Sequence, residues 1–232
     1  MDRAEFPGSL QPGWRPLPVS TVEHHQEDAP SDGGQGLPGD AGGLEKGGLA
    51  AALKEAGVTR QTALAWEDEM RLGLYGQTRR VWAPRGVKVR QRVQMEREWR
   101  YLALAVEPLT GRLSWCWIEN LKAESIAPVL QRWHQDGAGV VVWDQAPGHQ
   151  GARPQVKGMV LIFQPPYSPE LNPVERIFHE IRRAVEGRPY SSLEEKMECV
   201  ERELRRWAAD PERVRRLTGW AWIQEAWASL PP

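Results

Sequence analysis

Cysteine is scarce in this sequence. Only Cys116 and Cys199 occur among 232 residues, and neither has a second Cys or a His nearby at the spacing of metal ligands. This pattern excludes a disulfide framework and a cysteine-based zinc site. We therefore expect any bound metal ion to be held by carboxylates.

Long apolar runs are also missing. No segment approaches the roughly 18 consecutive apolar residues that a membrane-spanning helix needs. The N-terminus lacks the basic stretch followed by an apolar stretch that marks a secretory signal. The sequence therefore predicts a cytoplasmic protein with no membrane partner.

Hydrophobic periodicity is missing from the N-terminal part. Residues 1–50 contain ten Gly and six Pro, together with acidic and polar residues. A segment of this composition cannot bury enough apolar surface to offset the entropy lost on ordering. We expect residues 1–44 to be disordered and the folded part to begin near residue 45.

The formal net charge of −1 hides a basic block. Residues 71–100 hold nine Lys or Arg against two Glu, which is a local charge of +7. Such a block can neutralise the phosphates of a nucleic acid, although a solvated hairpin is the alternative interpretation. The residues that we expect to bind DNA phosphates are Arg71, Arg79, Arg80, Arg85, Lys88, Arg90 and Arg92.

Regular periodicity begins after residue 60 and predicts an α/β fold. We predict strands over residues 62–68, 99–106, 112–118, 139–144 and 159–163. We predict helices over residues 48–56 and 123–135, from Asn172 onward, and from Ser191 or Ser192 onward. A short turn between the second and third strands makes them antiparallel, and the helix before the fourth strand makes that strand parallel to a neighbour. The sequence thus predicts a mixed five-stranded sheet flanked by helices.

Three carboxylates fall where sheet enzymes place their chemistry. Asp68 lies near the predicted end of the first strand, Asp144 ends the fourth strand, and Glu175 lies in the first turn of a helix. Ligands of open α/β sheets gather outside the carboxyl ends of strands. If the three side chains share one pocket, their oxygen atoms suit Mg²⁺ or Mn²⁺, and two such ions can clamp a phosphodiester during in-line displacement.

Each carboxylate also has a purely structural interpretation. Asp144 could begin a turn, Glu175 could complete a capping box, and Asp68 could be one of three solvated acids at a strand end. Residue types and spacing alone leave these alternatives open.

Two longer motifs favour the catalytic interpretation. Residues 140–149 (VVVWDQAPGH) and 165–175 (PPYSPELNPVE) resemble the catalytic core of bacterial insertion-sequence transposases of the Tc/mariner superfamily, which are DDE superfamily endonucleases. Residues 68–74 (DEMRLGL) and 80–86 (RVWAPRG) resemble the same family. The similarity spans about residues 45–210.

The resemblance implies a ribonuclease H-like catalytic domain over 45–210, followed by a C-terminal helical extension over 211–232. It implies that Asp68, Asp144 and Glu175 bind two Mg²⁺ or Mn²⁺ ions and catalyse cleavage and transfer of DNA strands. The implied partners are transposon-end and target DNA, and a second copy of the chain in a DNA complex. The family carries helix-turn-helix readers before this core, and we expect them to be absent here. The alternative function is therefore that of a truncated remnant that binds nucleic acid without cleaving it.

Four more residues near these motifs invite interpretation. We expect His149 to be a structural histidine, with contact to substrate or support of the Asp144 loop as alternatives. We expect Asn172 to cap its helix and so hold Glu175 in place. Tyr167 and Trp82 are expected to be packing residues and not platforms for DNA bases.

Overall fold

The computed structural model describes residues 14–16, 43–76, 82–90 and 92–232. The strands are β1 (Trp14–Pro16), β2 (Ala63–Gly73), β3 (Trp82–Pro84), β4 (Trp99–Glu107), β5 (Arg112–Ile118), β6 (Ala138–Trp143) and β7 (Val160–Phe163). The helices are α1 (Gly48–Glu55), α2 (Ala123–Gln135), α3 (Pro147–Ala152), α4 (Val174–Val185), α5 (Leu193–Ala208), α6 (Pro211–Thr218) and α7 (Ala221–Ala228). Short 3₁₀ turns lie at Leu44–Lys46, Arg153–Gln155 and Pro169–Leu171.

Five strands form one mixed sheet in the order β5-β4-β2-β6-β7. β4 is antiparallel to both of its neighbours, whereas β6 is parallel to β2 and β7 is parallel to β6. The helix α2 makes the crossover that brings β6 back parallel to β2. This arrangement confirms the predicted fold class.

The two faces of the sheet are covered by different helices. On one face, called here the front face, Leu64 and Trp66 of β2 belong to a core shared with α1, α4, α5, α6 and α7. On the other, called the rear face, Ala65 of β2 and Trp143 of β6 belong to a second core shared with α2 and α3. Successive side chains of a strand point to opposite faces, so neighbouring residues of β2 serve different cores.

β2 is longer than the sequence predicts. We expected the strand to end at Asp68, but it continues to Gly73 and pairs with β4 along this whole extension. The buried side chains of Met70 and Leu72 supply the apolar contacts that stabilise it. Asp68 therefore lies in the middle of β2, and the prediction that it is close to the strand end was wrong.

The two ends of the chain contribute differently to the fold. Of residues 1–42, only Trp14–Pro16 lies within the described part, where it pairs antiparallel with Trp82–Pro84 as a two-stranded ribbon. Disorder was predicted over residues 1–44, but Leu44 begins a 3₁₀ turn and is buried. The rest of 1–42 lies outside the described residues. At the other end, Val214 of α6 and Ile223 of α7 are fully buried in the front core. No described helix is both long and apolar enough to cross a membrane.

Candidate active site

Asp68 projects from the front face of β2 beyond the end of a neighbouring strand. Trp66 and Met70, two positions away on either side, lie in the front core. The parallel pairing of β2 with β6 ends where Trp66 lies opposite Val142. Because adjacent strands lie about 4.8 Å apart, continuing this register by two residues brings Asp68 beside Asp144.

Asp144 follows β6 directly and is held by one of its two carboxylate oxygens. Its Oδ1 accepts a hydrogen bond from the backbone N–H of Ala146 at 2.8 Å and lies 2.5 Å from Nδ1 of His149. Its Oδ2 accepts no hydrogen bond from any described residue, and the side chain is 43% exposed. Burial raises the pKa of Asp144, but the contacts with His149 and Ala146 outweigh burial and lower that pKa below its ordinary value. Asp144 thus forms the turn that was its structural alternative and also presents an oxygen with no hydrogen-bond partner among the described residues.

Glu175 reaches the same region from the first turn of α4. The buried stripe of α4, which includes Ile177 and Phe178, packs on the front core and places the N-terminal end of the helix over β2. The Glu175 carboxylate is 37% exposed and lies 3.6 Å from the guanidinium of Arg182. It therefore engages a cation on its own helix, and no described contact shows the capping box that was its structural alternative.

Asn172 connects the start of α4 to β2. Its Oδ1 accepts the backbone N–H of Val174 at 3.0 Å and so caps the first turn. Its Nδ2 donates to Oδ2 of Asp68 at 3.1 Å and to the carbonyl oxygen of Glu67 at 3.2 Å. One buried amide therefore fixes the position of α4 relative to the carboxylate of Asp68.

The charge balance around Asp68 is unfavourable in the protein alone. Burial and then the charge of Glu175 raise the pKa of Asp68 to about 7, with smaller increases from Glu69 and Asp144 and an opposing hydrogen bond from the Glu69 backbone. Like charges act in this way only when they lie close together. The structure thus places Glu175 and Asp144 near Asp68, just beyond the carboxyl end of β6.

A second group of ionisable residues lies directly behind, on the rear face. His149 of α3 stacks on Trp143 with ring centroids 4.6 Å apart. Its Nε2 lies 3.1 Å from Oε2 of Glu69 and 3.6 Å from Oε2 of Glu67, while Nδ1 contacts Asp144. Both ring nitrogens face carboxylate oxygens, an arrangement that favours the imidazolium, which donates from both nitrogens.

Electrostatics supports this protonation state. Burial lowers the pKa of His149, but the hydrogen bonds to Asp144 and Glu69 and the charges of Glu67 and Glu69 raise it to about 11. Burial and then the charge of Glu69 raise the pKa of Glu67 well above its ordinary value. We call Glu67, Glu69 and His149 the rear cluster. Its side chains are at most 6% exposed, so the alternative that Asp68 has two solvated acidic neighbours was wrong.

Among the described residues, the rear cluster satisfies the spacing of a metal site, whereas Asp68, Asp144 and Glu175 do not lie that close together. One ligand atom from each of its three members lies within 4.8 Å of the others. The sequence analysis missed Glu67 and Glu69, although alternation along β2 places both on the face opposite Asp68. That alternation was the available signal, but their histidine partner lies 80 residues away in the sequence.

The predicted DNA-binding residues are exposed where they are described. Arg71 extends from β2 with its guanidinium 5.5 Å from the ring centre of Trp99. Arg79 and Arg80 lie outside the described residues. The remaining four lie on an extended segment between β3 and β4, called here the basic arm (residues 85–98), and are Arg85, Lys88, Arg90 and Arg92.

Gln94 fastens the basic arm to the domain. Its Nε2 donates to the carbonyl oxygen of Tyr190 at 2.8 Å, and its Oε1 accepts the Tyr190 backbone N–H at 3.0 Å. The Gln94 carbonyl oxygen accepts the backbone N–H of Gly76 at 2.8 Å. The basic block is thus an irregular arm and not the solvated hairpin that was its alternative. Hydrogen bonds at Gln94 hold the C-terminal part of this arm.

One prediction about packing was wrong. Tyr167 was expected to be a packing residue, but its side chain is 100% exposed. The side chain of Trp82, which carried the same expectation, lies outside the described part of the chain.

Comparison with known families decides the classification of this chain. Residues 63–196, more than half of the sequence, match the family described as DDE superfamily endonuclease. The chain belongs to this family. The matched region contains Asp68, Asp144, Glu175 and the rear cluster. No curated protein matches the sequence.

Solved structures show the same ribonuclease H-like fold. The DDE endonuclease chain resembles the Mos1 strand transfer complex with a TM-score of 0.57 at 14% identity, covering 88% of this chain and 66% of that one. It resembles the Mos1 transposase paired-end complex with left transposon end with a TM-score of 0.54 at 16% identity, covering 87% and 66%. It resembles the catalytic domain of Mos1 mariner transposase with a TM-score of 0.50 at 15% identity, covering 83% and 93%. The chain thus spans 66% of the Mos1 chains in the two complexes.

Proposed function

We propose that this chain is a transposase catalytic domain that cleaves and transfers DNA strands with the help of divalent metal ions. The observation that carries the proposal is the proximity of Glu175 and Asp144 to Asp68, just beyond the carboxyl end of β6. The charge of Glu175 is the strongest neighbouring influence on Asp68. Among the described residues, His149 contacts Asp144 and Arg182 contacts Glu175, but no cation contacts Asp68.

The donor set fits Mg²⁺ or Mn²⁺. All three candidate ligands offer oxygen atoms, which hard divalent cations prefer. Asp68, Asp144 and Glu175 would hold one or, as we propose, two such ions. Bound there, the ions would polarise the scissile phosphate and stabilise the attacking and leaving oxygens. The rear cluster is the less suitable site for DNA chemistry, because its side chains are at most 6% exposed and DNA phosphates would not reach an ion held there.

The protein's own residues hold the candidate ligands in position. Asn172 fixes Asp68 relative to α4, and thereby relative to Glu175. His149 holds Oδ1 of Asp144 and leaves Oδ2 free. A ligand that is already oriented loses little entropy when the metal and the DNA bind.

The basic arm carries positive charges that DNA phosphates could neutralise. None of Arg85, Lys88, Arg90 and Arg92 forms an ion pair with another described residue, and all four are exposed. We propose that they and Arg71 bind phosphates, which positions DNA without reading its sequence. We also propose a second copy of the chain in the DNA complex, where the exposed Val87, Val89 and Met95 of the arm would be covered.

A cleavage assay tests the proposal. The purified chain is incubated with labelled duplex DNA and Mg²⁺ or Mn²⁺, beside Asp68→Asn and Glu175→Gln. We expect metal-dependent cleavage by the wild type and a loss of about 1000-fold or more in each variant, because a lost ligand removes several kcal/mol of transition-state stabilisation.

Glu170→Gln is the matched control. Glu170 is an exposed acid in the turn before Asn172, and its neutralisation should leave cleavage unchanged. DNA binding without cleavage by the wild type would instead support the second candidate function, that of a remnant that binds nucleic acid without cutting it.

A further inference from the structure

The loop between β7 and α4 is tied at both ends to the candidate active site. At its start, the backbone N–H of Gln164 donates to the carbonyl oxygen of Trp143 at 2.8 Å, next to Asp144. At its end, Asn172 donates to Asp68. Within the loop, Pro165, Pro166 and Pro169 each fix one backbone dihedral. The loop is thus a short, stiff connection between the candidate ligands.

Tyr167 is unusual in two respects within this loop. Its φ is 56°, and it is the one described residue other than glycine with a positive φ. An aromatic residue in this left-handed region is strained, because its Cβ crowds the backbone. Its side chain is also 100% exposed. Among the described residues, nothing contacts the ring in a way that would offset either the strain or the exposure.

Strain of this kind persists where a conformation serves a binding partner. A relaxed backbone at residue 167 would point the ring in another direction, so the left-handed conformation determines where the ring projects. The neighbours Pro166, Pro169 and Glu170 are exposed without forming an apolar patch. A protein partner usually covers a contiguous apolar area. A single projecting ring instead suits stacking on one planar group.

The position of the ring identifies the chemistry of that partner. Tyr167 is three residues from Gln164, which limits the separation of their Cα atoms to roughly 10 Å. The ring therefore projects from the loop that borders Asp144, within reach of a nucleotide near a phosphate bound there. Aromatic side chains beside single-stranded or unpaired nucleotides bind by stacking on a base.

We propose that Tyr167 stacks on an unpaired DNA base adjacent to the phosphate that the three carboxylates engage. This contact rests on the proposed function, since it needs DNA at the carboxylates. It adds a base-contacting residue to a site otherwise made of phosphate-binding and metal-binding groups. Any flat base satisfies it, so the contact selects for an unstacked nucleotide and not for a sequence.

A pair of variants separates stacking from structure. Tyr167→Phe keeps the ring. Tyr167→Asn removes the ring and places at residue 167 a side chain that tolerates a positive φ. A structural role predicts that Tyr167→Asn lowers the melting temperature, whereas a stacking role predicts an equal or higher melting temperature together with weaker DNA binding.

The binding probe is a nicked duplex that carries 2-aminopurine at the nick, where a base unstacks readily. We expect wild type and Tyr167→Phe to quench 2-aminopurine fluorescence on binding. We expect Tyr167→Asn to lose the quenching and to bind about tenfold more weakly, as for the loss of one base stack. An intact duplex with internal 2-aminopurine should show little difference between the variants.

Equal affinity and equal quenching in wild type and Tyr167→Asn would overturn the proposal, as would a wild type that does not bind the nicked duplex. A lower melting temperature for Tyr167→Asn, with the loss of binding matched by Tyr167→Phe, would also overturn it. Because the readout is binding, it remains informative if the wild type fails to cleave DNA. Failure of the proposed function appears in the cleavage assay alone.

Discussion

Acidic side chains on the two faces of β2 have different electrostatic surroundings. On the rear face, Glu67 and Glu69 are almost completely buried, and the imidazolium of His149 lies between them and Asp144. On the front face, Asp68 faces Glu175 and Asp144 with the amide of Asn172 as its described hydrogen-bonding side-chain partner. The rear face thus offers its acids a cation, whereas the front face offers Asp68 a neutral amide that leaves its negative charge unbalanced.

The difference shows which acids serve the fold and which are available for chemistry. Buried carboxylates are tolerated only with a compensating charge or proton, and the rear cluster supplies that charge internally. Asp68 has no such cation among its described contacts, and burial together with the charge of Glu175 raises its pKa to about 7. The pKa of Glu67 in the rear cluster also rises, because the charge of His149 offsets burial and the charge of Glu69 only in part. An external cation binds most favourably where the protein leaves clustered negative charges without a counter-charge. Asp144 belongs to both sets, since one of its oxygens binds His149 and the other is free.

Removal of the rear cation should have the largest effect on stability. His149→Ala leaves Glu67, Glu69 and Asp144 without their shared counter-charge, and breaking a buried ion pair costs about 3–5 kcal/mol. We expect the free energy of unfolding, measured in urea, to fall by about this amount.

His134→Ala is the matched control for this experiment. His134 is partly buried, but its Nδ1 contacts only the carbonyl oxygen of Ala138, at 2.9 Å, so its loss should cost about 1 kcal/mol. Equal losses in the two variants would show that the imidazolium does not hold the rear cluster together. If His149→Ala does not fold, Glu69→Gln provides the measurement, with an expected loss of about 1–3 kcal/mol.

Metal binding should distinguish the two faces next. We expect Mg²⁺ at 100 times its dissociation constant to stabilise the wild type by about 2.7 kcal/mol. Asp68→Asn should lose most of this gain, whereas Glu69→Gln should retain it. Thermal melting with and without Mg²⁺ measures both. The reverse pattern would place the ion in the rear cluster, whose ligand atoms also lie within metal-binding distance of one another.

Much of the fold could be predicted from local sequence. Arg112–Ile118 and Ala123–Gln135 have the same bounds in the structure as in the prediction, because each carries a periodicity that its neighbours do not share. The end of β2 could not be predicted in the same way. Three successive acids at 67–69 suggest a solvent-exposed end of the strand. The histidine whose positive charge faces two of these acids comes from α3, far along the sequence.

The site shows the same limit. Residue type and motif suggested Asp68, Asp144 and Glu175. The structure places Glu175 and Asp144 near Asp68, and their role as metal ligands stays a prediction. The exposure of Tyr167 could not be predicted, because a tyrosine among prolines is equally compatible with packing and with projection. Only the positive φ, which depends on how the loop is anchored at both ends, sets its direction.

The smallest expected effect is the pH dependence that Asp68 alone introduces. Its pKa is about 7 in the folded protein, above the ordinary value of 3.8. The folded state therefore holds this proton more tightly than the unfolded state, and stability falls as the pH rises from about 4 to 7 and then levels off. In Asp68→Asn this loss is absent, so the difference in unfolding free energy between variant and wild type should be near zero at the acidic end and favour the variant above pH 7. We expect about 1 kcal/mol there, less than the full shift implies, because counterions gather around clustered charges. Urea titrations of both proteins across this range, without divalent metal, measure the difference. A constant difference at every pH would mean that Asp68 ionises normally and that the front face is not short of positive charge.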